Sequence, residues 1–172
     1  EYREYIETWI HEVKTPIAAA RLSLENHPGP LADSVENSLF QIEGYVEQAL
    51  FYARSGAVDR DYAVRALPLS QAVSAALRRY ARPLIEAGFR VDLEELDAVV
   101  CSDGKWVEFI LGQLISNSLK YRSAAPRLTF SQAVKRDGVV LSLLDNGPGI
   151  PEEDLPRVFD KGFTGANGRH LS

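Results

Sequence analysis

Residues 105–149, KWVEFILGQLISNSLKYRSAAPRLTFSQAVKRDGVVLSLLDNGPG, decide the fold of this chain. Trp106, Phe109, Ile110, Leu114 and Ile115 recur at helical spacing, which predicts a helix over Lys105 to Tyr121. Arg127 to Lys135 and Val139 to Leu144 read as strands, and Arg136, Asp137 and Gly138 between them carry a turn signal, so the pattern predicts a β-hairpin. Upstream, Phe89, Val91 and Leu93 alternate as another strand, and Ala98 to Cys101 reads as one more. Leu67 to Glu86 reads as a helix preceded by a short strand, with Ser70 as its N-cap and Gly88 as its stop. Strands interleaved with long helices, with hairpin pairing among the strands, predict an α/β sandwich in two layers.

Further towards the N-terminus the period changes. Ile6, Ile10, Val13, Ile17, Ala20 and Leu24 alternate steps of four and three, a heptad seam on a helix. Asn26, His27, Pro28, Gly29 and Pro30 interrupt it, because two prolines and a glycine cannot continue a helix. Val35, Leu39, Ile42, Val46, Ala49 and Ala53 then repeat the alternation, with Phe40, Tyr45, Leu50 and Phe51 adding apolar surface beside it. Two antiparallel helices of about 25 residues follow, each roughly 37 Å long at 1.5 Å per residue. A lone hairpin covers only one side of each seam. The economical solution is a homodimer whose hairpins form a four-helix bundle; packing against the downstream domain is the alternative. Ser55 to Arg65 loses the heptad and reads as a linker with a short strand around Asp61 to Val64. The expected organisation is therefore α+β, with a hairpin over 1–56, a linker over 57–66 and a second domain over 67–172.

Composition narrows the function. At 172 residues, 45% hydrophobic and 25% charged, the chain is globular. Its net charge of −5 supplies no basic footprint, so no nucleic-acid partner is expected. Cys101 is the only cysteine, which excludes an intrachain disulfide and a multi-cysteine zinc site. No run approaches the ~18 apolar residues of a membrane-spanning helix. The sequence has no methionine, so it is expected to be a piece of a longer protein whose membrane segment, if it has one, lies elsewhere.

Three clusters carry chemistry. His11, Glu12, Val13, Lys14, Thr15 and Pro16 stand in the middle of the first helix, His11 on the solvent flank of the seam. An imidazole there is reachable and nucleophilic, Glu12 can accept its proton, and the Thr15 hydroxyl, one turn on, can hold a water. Pro16 leaves the Glu12 carbonyl without its helical donor and is expected to bend the reactive turn. Plain solvated surface is the competing explanation; a zinc-protease motif is excluded because position 15 is threonine. Gln113, Asn117, Lys120 and Tyr121 fall at i, i+4, i+7 and i+8 of the long helix. Either they face solvent, or Asn117 offers an oxygen to Mg²⁺ while Lys120 reaches phosphate. Asp145, Asn146, Gly147, Pro148 and Gly149 follow a strand without forming a Walker loop or a dinucleotide fingerprint. Asp145 can accept from an exocyclic amine while the glycines let the main chain pass a flat ring, or the stretch is simply a turn.

In this order the clusters resemble the H, N and G1 boxes of bacterial two-component sensor histidine kinases, over essentially the whole chain. Phe159 to Gly165, FDKGFTG, resembles the F box. Trp9 before the first cluster and Asn167, Gly168 and Arg169 after the last resemble the Gram-positive branch that senses antimicrobial peptides of the bacitracin type. The resemblance implies an ATP-binding sandwich of the gyrase, chaperone and histidine-kinase type behind a dimerisation and phosphotransfer hairpin. It implies His11 as phosphoacceptor, Glu12 as its general base and Thr15 as the group orienting water for dephosphorylation of a response regulator. It further implies Asn117 on Mg²⁺, Lys120 on the phosphates and Tyr121 at the nucleotide's flank. Asp145 falls on the adenine amine, and Gly147, Gly149 and Phe159 around ATP. The partners implied are a second copy, a receiver domain and a peptide-transporting ABC transporter reached through a membrane part, the chain itself being cytoplasmic. Gln113 stands where these kinases usually carry asparagine and where related ATPases carry a water-activating glutamate, which argues against a hydrolytic ATPase. The family continues past the position of Ser172 into a second glycine-rich box, a helix and closing strands, so the ATP domain is expected to be truncated here. A dimeric scaffold that docks a response regulator through a degenerate nucleotide site is the alternative function.

Overall fold

The computed structural model describes residues 2–55, 62–160 and 163. The chain divides into two compact units, Glu1–Tyr62 and Ala63–Ser172. In the first, α1 (Tyr2–Glu25) packs along α2 (Pro30–Ser55) as a helical hairpin. The turn between them is closed by the His27 N–H on the Leu24 carbonyl, 2.9 Å, and Pro30 opens α2 where its missing N–H costs nothing. Arg21 sets the register, half-buried at 2.9 Å from both Glu36 and Glu43.

The α1 seam turns inward as its spacing predicts, with Ile10 and Ile17 buried and the others that are described half-buried. The α2 seam does not hold together. Leu39, Val46 and Ala53 are buried or half-buried, whereas Val35, Ile42 and Ala49 are exposed. Phe51, buried, and Phe40 and Leu50, half-buried, complete the covered side of α2. The displaced residues join Leu31, Ser38, Tyr45 and Tyr52 in an exposed stripe whose own steps alternate four and three. Among the described residues no helix is long and apolar enough to cross a membrane.

In the second unit, β1 (Arg65–Pro68) leads into α3 (Leu69–Arg79) and α4 (Ala81–Glu86), followed by β2 (Arg90–Leu93) and β3 (Val99–Ser102). The long helix α5 (Gly104–Lys120), β4 (Arg127–Lys135), β5 (Gly138–Asp145) and a 3-10 turn, Leu155–Arg157, complete it. β1 pairs antiparallel with β3; β4 lies between parallel β2 and antiparallel β5. α3 packs on α5, and the centre of the core is Val73, Ile115, Leu128 and Phe130, all essentially without exposure. This is the expected α+β arrangement of sheet and helices.

Three local expectations are corrected. The short strand is not at Asp61 to Val64: residues 62–64 are irregular, Asp61 lies outside the described residues, and the strand is Arg65–Pro68, held by β3. Arg65 and Ala66, expected in the linker, are thus strand residues. Ser70 is not the N-cap; the chain enters α3 from extended Pro68, and the Leu69 N–H is used on the Ala98 carbonyl at 3.0 Å. The expected single helix over Leu67 to Glu86 breaks at Tyr80, because Pro83 has no N–H to give the Arg79 carbonyl. The Gly88 stop is as expected: its N–H bonds the Ile85 carbonyl and that of Phe89 the Leu84 carbonyl, a Schellman closure.

Asp103, which the sequence reading passed over, starts α5. Its carboxylate accepts from the N–H groups of Lys105 (2.9 Å) and Trp106 (3.3 Å) and from that of Ala63 (2.8 Å), at the very start of the unit. Burial pushes this carboxyl up, but the three N–H donors and the Lys105 charge outweigh burial and hold it below the ordinary value of 3.8. Asp103→Ala is expected to cost ~1–3 kcal/mol in urea unfolding. Because the folded value is lowered, this stabilisation is full above pH 3.8 and lost as pH falls through the native value. The gap between the two proteins should therefore close in acid, and a gap unchanged down to pH 2 would contradict the assignment.

Candidate functional site

An open cleft of about 480 Å³ in the second unit gathers members of the two clusters that the sequence placed on α5 and after β5. Asn117, Lys120 and Tyr121 reach it from the end of α5, and Asp145 and Gly149 from the turn after β5. Val158 and Phe163 border it from the following segment. A space of this size suits a small-molecule ligand.

Asn146 is what brings the two walls together. Its Oδ1 accepts from the Arg127 N–H at 2.8 Å and from the Ser123 hydroxyl at 3.2 Å, and its Nδ2 donates to the Ala125 carbonyl at 2.9 Å. The segment leaving α5 is thereby latched to the strand end. Gly147 then passes so close to α5 that a Cβ there would lie 2.6 Å from the Tyr121 carbonyl oxygen. Its N–H donates to Asp145 Oδ1 at 2.8 Å, and the Ser118 hydroxyl lies 3.2 Å from Asp145 Oδ2. Gly149 has φ +71°, a left-handed conformation that favours glycine. The Lys120 ammonium lies 5.2 Å from the Tyr121 ring centroid, putting positive charge and an aromatic face at one end of the cleft.

Five of the expected binding residues therefore share one cleft, while Gly147 sits behind it as a packing requirement. Phe159 does not join them: it is 99% exposed, and Phe163, four residues on, borders the cleft under the Arg157 guanidinium at 4.2 Å. Gln113, expected on the same stripe as Asn117, is half-buried and outside the cleft lining. Residues 161, 162 and 164–172, which include the rest of the F-box stretch together with Asn167, Gly168 and Arg169, lie outside the described residues. His11, Glu12 and Thr15 belong to the other unit, exposed in the middle of α1 with Pro16 inside the helix. The Thr15 hydroxyl donates to the His11 carbonyl at 3.0 Å, so its proton is engaged and its lone pairs remain for a water. Sequence reasoning missed Ser118, and it named Asn146 only as part of the Asp-Asn-Gly turn, without the latch its side chain makes.

Residues 102–172 match the family described as histidine kinase-, DNA gyrase B- and HSP90-like ATPase. Sensor histidine kinase YxdK of Bacillus subtilis is 32% identical over 169 residues, covering 97% of this chain and 52% of that protein. Sensor protein BceS of the same organism is 30% identical, covering 98% and 50%. Among solved structures, histidine kinase ThkA in complex with response regulator protein TrrA aligns with a TM-score of 0.60 at 18% identity, over 94% of this chain and 49% of that one. The chain spans about half the length of the curated relatives it matches. Residues 102–172 are thus similar to this ATPase family, and the chain is a homologue of Gram-positive sensor histidine kinases.

Proposed function

We propose that this chain is the cytoplasmic catalytic region of an ATP-dependent protein histidine kinase of a membrane-anchored sensor. The observation that carries the reading is the single cleft where Asn117, Lys120 and Tyr121 meet Asp145 and Gly149. Asp145 accepts from the adenine amine, Tyr121 flanks the nucleotide and Lys120 neutralises phosphate charge. The donor set also fits Mg²⁺: Asn117 is a hard oxygen donor, and this ion is commonly held by one or two protein oxygens together with phosphates and water. Among the described residues no cluster of three His, Cys, Asp or Glu side chains competes for a metal. ATP supplies the phosphoryl group. A His11 ring nitrogen attacks the γ-phosphorus, the bond to the ADP oxygen breaks, and Glu12 takes the proton from the other ring nitrogen.

The phosphoryl group then passes from His11 to a receiver-domain aspartate of a response regulator, and Thr15 orients water when the same hairpin reverses that modification. ThkA, solved with a response regulator, supports a receiver partner of this kind. The relationship to BceS is the reason to test a peptide-transporting ABC transporter as a further partner. Incubating the full-length protein with labelled ATP tests the reading. Acid-labile, base-stable label on His11 is expected; intact Mg·ATP binding with no label would favour the docking scaffold.

The exposed α2 stripe supports a homodimer. Leu31, Val35, Ile42, Tyr45 and Tyr52 are 37–78% exposed in one hairpin, in a heptad that a second copy would cover as a four-helix bundle. Ile42→Lys with Tyr45→Glu is expected to convert a dimer into a helical monomer, read by light scattering and circular dichroism. A parent that is already monomeric at micromolar concentration, or a variant that dimerises as the parent does, would overturn the bundle.

A further inference from the structure

Four residues of α5 are buried: Leu111, Gly112, Ile115 and Ser118. Ser118 is the polar one, only 5% exposed, and it stands behind Asp145. Its hydroxyl lies 3.1 Å from the Leu114 carbonyl and 3.2 Å from Asp145 Oδ2. A hydroxyl has one proton to give. The Leu114 carbonyl already faces the helical N–H four residues on, whereas the carboxylate is charged and makes the stronger bond. Asp145 Oδ1 is meanwhile held by the Gly147 N–H at 2.8 Å. The carboxylate is thus gripped at both oxygens from the protein side, one grip coming from each wall of the cleft. Its remaining lone pairs are left for a ligand.

We propose that Ser118 is a positioning residue that fixes the Asp145 carboxylate to receive the exocyclic amine of adenine, and so sets the preference for adenine over guanine. This rests on the nucleotide reading given above. A fixed carboxylate meets the adenine amine as acceptor to donor. Guanine presents a carbonyl oxygen at the same ring position, so the two acceptors repel. A carboxylate freed of the Ser118 bond rotates, and both the attraction and the repulsion weaken.

The test is a double-mutant cycle on the full-length protein, titrating Mg·ATP and Mg·GTP against the parent, Ser118→Ala, Asp145→Ala and the double variant. Alanine keeps the helix and loses only the hydroxyl, so thermal midpoints measured alongside are expected to stay within a few degrees. Ser118→Ala should weaken ATP about 3- to 10-fold, the range of one hydrogen bond, and leave GTP unchanged or slightly tighter. In the Asp145→Ala background the same substitution should change nothing. An unchanged ATP-to-GTP ratio in Ser118→Ala, or an equal loss with and without Asp145, overturns the positioning role. If Asp145→Ala itself leaves ATP binding intact, the nucleotide site is wrong and this role falls with it.

Discussion

Replacing His11 with glutamine is expected to remove all phosphoryl incorporation while changing ATP affinity by less than about twofold. Glutamine is polar, comparable in length and a good helix former, so α1 should be undisturbed. His11 is exposed, and its removal leaves no cavity. What disappears is the ring nitrogen, and no amide nitrogen can replace it as a nucleophile at neutral pH. The residues proposed to hold ATP belong to the unit that begins at Ala63, which is why binding and chemistry should separate. Label transfer and calorimetry on the same preparation check both halves. Label persisting at the parent rate would put the acceptor elsewhere. A tenfold loss of ATP binding would make His11 part of the nucleotide pocket and undo the division of labour.

How legible each feature was depended on the range of the interaction behind it. The long helix and the hairpin were readable because their periods, 3.6 and 2, are properties of the chain itself. The observed bounds, Gly104–Lys120, Arg127–Lys135 and Gly138–Asp145, fall within a residue of those expected. The break at Tyr80 was missed although Pro83 announces it, because the apolar period runs straight through. The Ser70 cap failed for a tertiary reason: the Leu69 N–H is used on the Ala98 carbonyl of the β3 approach. The α2 seam divided for a similar reason. A hairpin buries only the face that meets α1, and a heptad pattern does not say which of two overlapping stripes that is.

In the cleft, Asn117, Lys120, Tyr121, Asp145 and Gly149 could be picked out by residue type and spacing, and the fold brings them together. Ser118 could not. A serine in a helix is commonplace, and its interest comes from a carboxylate 27 positions away. Phe159 and Phe163 are equally aromatic and four apart in FDKGF; only the path of the chain decides that Phe163 borders the cleft.

Gly147→Ala is expected to be the most damaging glycine-to-alanine change among the described residues of the second unit. The added Cβ would stand 2.6 Å from the Tyr121 carbonyl oxygen and 2.8 Å from Asp145 Oδ1. The closer of these is backbone, so no flexible side-chain end can swing away. Relief requires moving either the end of α5 or the strand-end turn, and each is a wall of the cleft. Asn146 opposes both movements, since its bonds to Arg127 and Ala125 tie those walls together. The substitution should cost ~1–3 kcal/mol as overpacking, and it should weaken ATP binding by more than about tenfold, because a 1.4 kcal/mol change in the fit of Asp145 alone is a factor of ten. Gly149→Ala is the control. Its φ of +71° is strained for alanine, but nothing lies within 4 Å of the new Cβ, so ~1–2 kcal/mol of backbone strain is the whole penalty. Urea midpoints and ATP titrations of the two variants separate crowding from strain. If Gly147→Ala binds ATP no worse than Gly149→Ala, the close approach of the turn to Tyr121 does not shape the site.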